Sequence, residues 1–242
     1  MSKLFIPYIM GNSKMIEHMK VLSQCGADII EVGVPFSDPV ADGPTIMEAG
    51  GKAIEEGITI EYIFDQLELH QLEIKSQYVL MTYYNIICNY GEKAFFEACQ
   101  RAGVYGVIIP DLPFELAQKL KQQIHESNVK IIPLIAMTTT EERMKLIAEK
   151  AEGFIYTVTM NATTGKNGEF HPELKSKLNL IKRTAQVPVV AGFGIRNVQH
   201  VKDISQIADG VVIGSEIVRR FANDSTEENI KYFNSIRHAL NQ

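Results

Sequence analysis

Short runs of apolar residues recur along this chain, and a polar segment follows most of them. The runs are almost continuously apolar, which is typical of strands that are buried on both faces. The pattern predicts eight strands, at Leu4–Met10, Asp28–Val32, Tyr78–Thr82, Gly106–Ile109, Lys130–Ala136, Gly153–Val158, Val187–Ala191 and Gly210–Ile213.

The polar segments between these runs have the 3.6-residue periodicity of amphipathic helices. Thr139 followed by Glu142 predicts a capping box at the start of one of them. The predicted helices include Ser13–Cys25, Glu92–Arg101, Phe114–Ser127, Glu141–Lys150, Pro172–Thr184 and Thr226–Leu240.

Strands that alternate with helices favour a parallel sheet covered by helices. Eight such units in 242 residues indicate an α/β fold, a single (β/α)8 TIM barrel, with the last helix on the barrel exterior. No Pro/Ser-rich linker divides the chain, so we expect one domain over residues 1–242. A doubly wound open sheet with one irregular extra unit is the alternative that this pattern allows.

Composition and charge narrow the classes of function. Hydrophobic residues make up 45% and charged residues 22%, as in a soluble globular protein, and no apolar run reaches the length of a membrane span. The net charge of −5 argues against a nucleic-acid partner, because phosphate backbones bind basic patches. The first residues show no secretory cleavage pattern, so we expect a cytoplasmic protein with three reduced cysteines.

The sequence lacks the residues expected for a Schiff base, for a metal site and for a dinucleotide-binding motif. No lysine stands at the end of a predicted strand, where a Schiff base would need it. The His, Asp and Glu residues show no metal-binding spacing, and no GxGxxG motif follows the first strand. The pattern therefore favours acid/base chemistry by carboxylates, with no metal and no cofactor in this chain.

Two acids stand where a barrel places its active site, at the carboxyl ends of the strands. Glu31 lies among apolar residues of the second predicted strand, and no Lys or Arg occurs between Lys20 and Lys52. A buried, unpaired carboxyl has a raised pKa, which suits proton transfer; a distant Arg or hydroxyl groups could equally hold it. Asp42 follows in a loop stiffened by prolines and would complete an acid/base pair. An ordinary turn capped by Asp is the alternative, and it fits Asp38 better than Asp42.

Glycines follow the seventh and eighth predicted strands, where barrels often bind phosphate. Their backbone N–H groups and the helix N-termini behind them could approach an anion, although most such turns are only turns. The candidate donors are Gly192, Gly194, Gly214 and Ser215. The segment 159–168 is rich in Thr, Asn and Gly, which is typical of either a lid or a mobile surface loop.

Several of these segments resemble the tryptophan synthase alpha subunit family. The sixteen residues EVGVPFSDPVADGPTI, from Glu31 to Ile46, are similar to a very specific signature of that family. Further matches occur in family order and cover nearly the whole chain, at Met81–Asn85, Gly106–Pro113, Ala191–Ile195 and Gly210–Ser215. The chain departs from the family at Tyr105, Met137 and Ala162, where an acid, a proline and a glycine are more usual.

The resemblance implies a lyase of tryptophan biosynthesis that cleaves indole-3-glycerol phosphate to indole and glyceraldehyde 3-phosphate by a retro-aldol reaction. Glu31 matches the acid/base catalyst of the family, and Asp42 matches the carboxylate that binds the indole N–H. Thr164 matches the lid threonine that orients Asp42 on closure. The substrate-binding residues implied in this way are Tyr8, Tyr83, Tyr156, Thr164, Gly192, Phe193, Gly194, Gly214 and Ser215.

The resemblance also implies a partner, the tryptophan synthase beta subunit in an alpha2beta2 heterotetramer, with Pro39 and Asn85 on the shared face. Pyridoxal phosphate is expected only in that beta subunit. Two other interpretations stay open: another phosphate-binding barrel enzyme, such as a sugar-phosphate isomerase or indole-glycerol phosphate synthase, and a non-catalytic barrel that activates a partner. The synthase uses a lysine acid, which is missing here, and the presence of Glu31, Asp42 and Thr164 disfavours a non-catalytic barrel.

Overall fold

A parallel sheet forms the centre of the molecule. The computed structural model describes residues 3–158, 172–192, 194–195 and 197–242. Within these ranges the sheet has nine strands. They are β1 (Leu4–Met10), β2 (Ile29–Gly33), β3 (Gln77–Met81), β4 (Gly106–Ile108), β5 (Lys130–Ile132), β6 (Leu134–Ala136), β7 (Ile155–Val158), β8 (Val189–Gly192) and β9 (Gly210–Ile213).

The strand order identifies a barrel. The sheet runs β5-β4-β3-β2-β1-β9-β8-β7-β6, so neighbours in sequence are neighbours in space all the way round. A doubly wound sheet would instead reverse its order at an interior strand, and that alternative is excluded. The TIM-barrel prediction is confirmed, although the strand count differs from eight.

The ninth strand arises at Pro133, which divides the predicted strand Lys130–Ala136 into β5 and β6. β5 pairs with β4, and β6 pairs with β7, so the two short strands together fill one position of the barrel. Proline has no N–H to donate to a ladder, which interrupts the pairing at this residue. Its carbonyl still accepts the Tyr156 N–H at 3.0 Å, and the strand therefore continues in space.

The lower interior of the barrel is a closed apolar layer. One inward side chain from each barrel position packs there, and together they are Ile6, Ile29, Val79, Ile108, Ile132, Phe154, Val190 and Val212. Burial of each such side chain contributes about 1.5–3 kcal/mol. Polar chemistry is thereby confined to the upper layers, at the carboxyl ends of the strands.

The helices form the outer shell, and several connections carry two of them. The described helices are α1 (Met15–Gln24), α2 (Pro44–Glu55), α3 (Ile60–His70), α4 (Tyr84–Tyr90), α5 (Glu92–Arg101), α6 (Phe114–Gln123), α7 (Glu141–Glu149), α8 (Pro172–Thr184), α9 (Val198–Ser205), α10 (Ser215–Asn223) and α11 (Thr226–Leu240). α11 packs against α9 and β1 on the outside, as predicted for the last helix.

The predicted capping box at Thr139 is wrong by one residue. Thr139 still belongs to the preceding turn, because its N–H bonds to the Ala136 carbonyl. Thr140 has the extended backbone that an N-cap needs, and its side chain accepts the Arg143 N–H at 3.4 Å. A complete capping box instead opens α11, between Ser225 and Glu228.

Candidate active site

Glu31 is a buried carboxyl on the inner face of the barrel. Its neighbours Ile30 and Val32 point outward into the helical shell, so strand alternation turns Glu31 inward. Only 1% of Glu31 is exposed, and among the described residues neither carboxylate oxygen has a hydrogen-bond partner. Burial, with a smaller contribution from the charge of Asp42, raises the pKa of Glu31 to about 8. At neutral pH this side chain is mostly protonated, as a proton donor requires.

Asp42 lies in the loop between β2 and α2 and is half-buried. The Tyr83 hydroxyl donates a hydrogen bond to Asp42 Oδ2 at 3.2 Å. The same hydroxyl accepts the Ala41 N–H at 3.0 Å, and the Tyr83 ring stacks on Phe36 at 4.9 Å. Burial raises the pKa of Asp42, and the hydrogen bond from Tyr83 opposes that rise. Tyr83 therefore fixes the position of this loop and of its carboxylate.

Tyr8 and Tyr156 complete the interior around the two acids. Burial raises the pKa of both hydroxyls well above the ordinary value, and the charges of Glu31 and Asp42 raise them further. Tyr8 pairs in register with Glu31 across β1 and β2, so their side chains lie side by side. The structure thus brings together five of the residues named from the sequence: Glu31, Asp42, Tyr8, Tyr83 and Tyr156.

Two glycines make room for the tyrosine rings. A Cβ atom on Gly33 would lie 1.9 Å from the Tyr8 hydroxyl oxygen, and one on Gly192 would lie 2.5 Å from Tyr156 Cε2. Gly192 was predicted as an anion donor. Its contact with the Tyr156 ring is by itself a steric reason for a glycine at this position. Sequence reasoning did not single out Gly33 as a site residue, because its importance depends on which side chain lies across from it.

The other predicted anion donors lie above β8 and β9. Gly194 has a φ of +50°, the left-handed region that favours glycine. Gly214 precedes α10, which begins at Ser215, so the free N–H groups of this helix start here. A Cβ on Gly214 would lie 3.8 Å from Tyr8 Cβ, which places this turn beside the carboxyl pair. Thr164, Phe193 and the candidate lid at 159–168 lie outside the described residues.

A cavity of about 530 Å³ opens beside Asp42. Its wall also includes Gly43, Pro110, Leu134 and Val158, and it extends outward between α6 and α7. The wall is mainly apolar, and of the two acids Asp42 lines the cavity whereas Glu31 does not.

The described ranges contain neither a cluster of metal-binding side chains nor a helix that could span a membrane. No group of three or more His, Cys, Asp or Glu residues there could hold a metal ion. No helix in that part of the chain is long and apolar enough to cross a membrane.

Comparisons with known proteins identify the family of this chain. The family model for the tryptophan synthase alpha chain matches residues 1–241. A tryptophan synthase alpha chain from Staphylococcus aureus (strain MRSA252) is 69% identical over 241 residues, with all of both chains covered. The corresponding chain from strain bovine RF122 / ET3-1 is 68% identical over the same length.

Solved structures give the same result. A chain of tryptophan synthase from M. tuberculosis superposes with a TM-score of 0.89 at 28% identity, covering 100% of this chain and 93% of that one. Tryptophan synthase subunit alpha from Legionella pneumophila str. Paris gives a TM-score of 0.88 at 28% identity, covering 98% and 92%. The chain belongs to the tryptophan synthase alpha chain family.

Proposed function

We propose that Glu31 and Asp42 carry out, in this chain, the reaction of its family. The alpha subunit is a lyase of tryptophan biosynthesis that cleaves indole-3-glycerol phosphate to indole and glyceraldehyde 3-phosphate. The assignment of roles rests on the Glu31 carboxyl. It is buried, and in the described structure it has no hydrogen-bond partner. Burial and the charge of Asp42 raise its pKa to about 8.

Glu31 begins the reaction as an acid. It gives its proton to C3 of the indole, and the ring becomes a cation whose charge is centred on the ring nitrogen. The bond between C3 and the glycerol carbon then breaks, its electrons return to the ring, and the hydroxyl on the departing carbon becomes an aldehyde. The Glu31 carboxylate takes the proton that this hydroxyl releases, so no proton is gained or lost overall.

Asp42 balances the charge that develops on the ring. Its carboxylate accepts the hydrogen bond of the indole N–H, which strengthens as the ring becomes positive. Tyr83 holds this carboxylate in place through its hydrogen bond at 3.2 Å. By the family resemblance, Thr164 orients Asp42 further and Phe193 contacts the indole.

The phosphate group binds at the turns above β8 and β9. The N–H groups at Gly194, Gly214 and Ser215 are the donors, and the positive end of the α10 dipole lies at Ser215. A dianion bound there anchors the glycerol chain beside Tyr8 and leaves the indole ring between the two acids.

The family implies a beta-subunit partner, and pyridoxal phosphate belongs to that subunit rather than to the alpha chain. For this chain we propose an alpha2beta2 assembly, with the partner on the face that carries Pro39 and Asn85. Val40, which is 79% exposed, supplies apolar surface directly beside Pro39. We also propose that residues 1–242 form one domain and that the protein is cytoplasmic.

Indole release from indole-3-glycerol phosphate by the purified chain, measured with and without the beta subunit, tests the proposal. Replacement of Glu31 by Gln should lower kcat by about a thousandfold with little change in KM, because it removes proton transfer and almost no volume. Glu17→Gln, an exposed carboxyl on α1, is the matched control and should keep full activity.

Three results would contradict the proposal in different ways. Normal turnover by Glu31→Gln would remove its assignment as the acid. Activation of the beta subunit without any indole release by the alpha chain would favour the non-catalytic barrel. Equal affinity for a substrate analogue with and without its phosphate would remove the anion site.

A further inference from the structure

The chemistry above leaves the hydroxyl group of Tyr8 without a function. Tyr8 is 3% exposed and lies on the inner face of β1, directly beside Glu31 in the strand register. A phenylalanine would fill the same space, so packing alone does not require the oxygen atom. A buried hydroxyl next to an unpaired carboxyl invites a hydrogen bond between them.

The contact with Gly33 shows where the hydroxyl points. Its oxygen lies so close to Gly33 that a Cβ there would be 1.9 Å away. Gly33 follows Glu31 by two residues on β2, so both face the interior and Gly33 is nearer the carboxyl end of the strand. The Tyr8 oxygen therefore lies on the mouth side of Glu31, toward the loop that carries Asp42.

The Tyr8 hydroxyl is a neutral donor within electrostatic range of both acids. After burial, the charges of Asp42 and Glu31 are the largest causes that raise its pKa well above the ordinary value. It consequently keeps its proton throughout the neutral pH range and can only donate or accept a hydrogen bond.

Glu31 is the better acceptor of the two. Asp42 already receives the hydroxyl of Tyr83 at 3.2 Å. Both oxygens of Glu31 lack any partner in the described part of the chain. The third phenol near the acids, Tyr156, comes from β7 and has its ring packed against Gly192.

We propose that Tyr8 is a positioning residue whose hydroxyl donates a hydrogen bond to the Glu31 carboxylate once Glu31 has given its proton to the indole ring. The inference rests on the proposed role of Glu31. The Tyr8 proton stays on its oxygen, and no bond of Tyr8 forms or breaks. The ionised carboxylate gains a donor at the moment when it would otherwise be an unpaired buried charge, which lowers the barrier to proton transfer.

Tyr8→Phe tests the inference because it removes the oxygen and keeps the ring. Loss of a hydrogen bond to a charged group should lower kcat by about tenfold to a hundredfold. KM should stay within about twofold, because the bond forms after substrate binding. Tyr105→Phe is the matched control: Tyr105 packs near the lower interior layer and should keep wild-type kinetics.

The pH profile separates this role from a purely structural one. Activity should fall at alkaline pH as Glu31 loses its proton. Without the Tyr8 hydroxyl the ionised carboxylate is less stable, which raises the pKa of Glu31. The alkaline limb of the kcat profile should therefore move to higher pH in Tyr8→Phe. If the substitution only loosened the packing, water would reach Glu31 and lower its pKa, and the limb would move to lower pH.

The outcomes distinguish this inference from the proposed function. Wild-type kcat and an unmoved limb in Tyr8→Phe would overturn the role of Tyr8, while loss of turnover in Glu31→Gln would leave the proposed function standing. A limb that moves to lower pH would also overturn it. If Tyr156→Phe showed both effects and Tyr8→Phe neither, the donor would be wrongly assigned. Full turnover by Glu31→Gln would end both proposals.

Discussion

Replacement of Gly33 by Ala tests the packing that holds the site together. Gly33 is not among the glycines with positive φ, so an alanine meets no backbone strain there. In an open position such a substitution stabilises a protein by about 0.4–1 kcal/mol, because it restricts the unfolded chain. At Gly33 the new Cβ would lie 1.9 Å from the Tyr8 oxygen and 2.5 Å from its Cζ, well inside van der Waals contact.

The overlap should make Gly33→Ala destabilising instead of stabilising. Overpacking of a buried site costs about 1–3 kcal/mol, which corresponds to a loss of roughly 2–12 °C in Tm for a domain of this size. Because the Tyr8 ring must shift from its place beside Glu31, kcat for indole release should also fall by about tenfold or more. Thermal unfolding followed by circular dichroism, together with the indole assay, measures both effects.

Gly51→Ala provides the control in the opposite direction. Nothing lies within 4 Å of a Cβ at Gly51, which is an exposed position in α2, so this variant should be stabilised by about 0.5–1 kcal/mol. Combination of Gly33→Ala with Tyr8→Phe removes the closest contact and should recover about 0.5 kcal/mol or more of the loss. If Gly33→Ala were as stable and as active as Gly51→Ala, the proposed contact between Tyr8 and Gly33 would be refuted.

Three further predictions follow from particular contacts. The pKa of Glu31 is near 8 in the folded chain and near 4.5 when unfolded, so wild-type stability should fall as pH rises between these values. Glu31→Gln should therefore be more stable than wild type at pH 9 by a few kcal/mol and close to it at pH 4, which denaturant titration at both pH values would show. Arg237→Ala should lower the free energy of unfolding by about 1–3 kcal/mol, because Arg237 donates a hydrogen bond to Asp28 at 2.7 Å. The pair lies at the opposite end of the barrel, so kcat should change little. A Tm equal to that of the wild type would contradict this prediction. Tyr83→Phe should lower kcat by about tenfold through a misplaced Asp42, and unchanged indole release would show that the loop holds its position without that hydroxyl.

Features that depend on one segment could be predicted from the sequence. The barrel follows from eight apolar runs that alternate with helical periodicity, and Glu31 stands out because a charge inside such a run needs a reason. The division of the fifth strand at Pro133 was not predicted, because proline does not always divide a strand: Pro7 lies within β1, paired in register with β9. The helix start at Thr140 was missed by one residue because either threonine could cap, and only the turn at Thr139 decides between them.

Features that depend on contacts between distant segments could not be predicted from the residues alone. Asp38 and Asp42 share one loop, and what separates them is a hydrogen bond to Tyr83, 41 residues away from Asp42. The Asp38 carboxylate is exposed and bonds only to its neighbour Ser37 among the described contacts. The need for glycine at position 33 likewise depends on the register of β1 against β2, which no local pattern fixes.

The protonation state of Glu31 in the folded chain is the most direct test of the mechanism. Carboxyl carbon NMR of glutamate-labelled protein, with Glu31→Gln to assign the resonance, gives its titration curve. The mechanism predicts a midpoint near pH 8, so that the side chain carries its proton at neutral pH. A midpoint close to the ordinary glutamate value of about 4.3 would show a carboxylate with no proton to donate, and it would contradict the role of Glu31 as the acid.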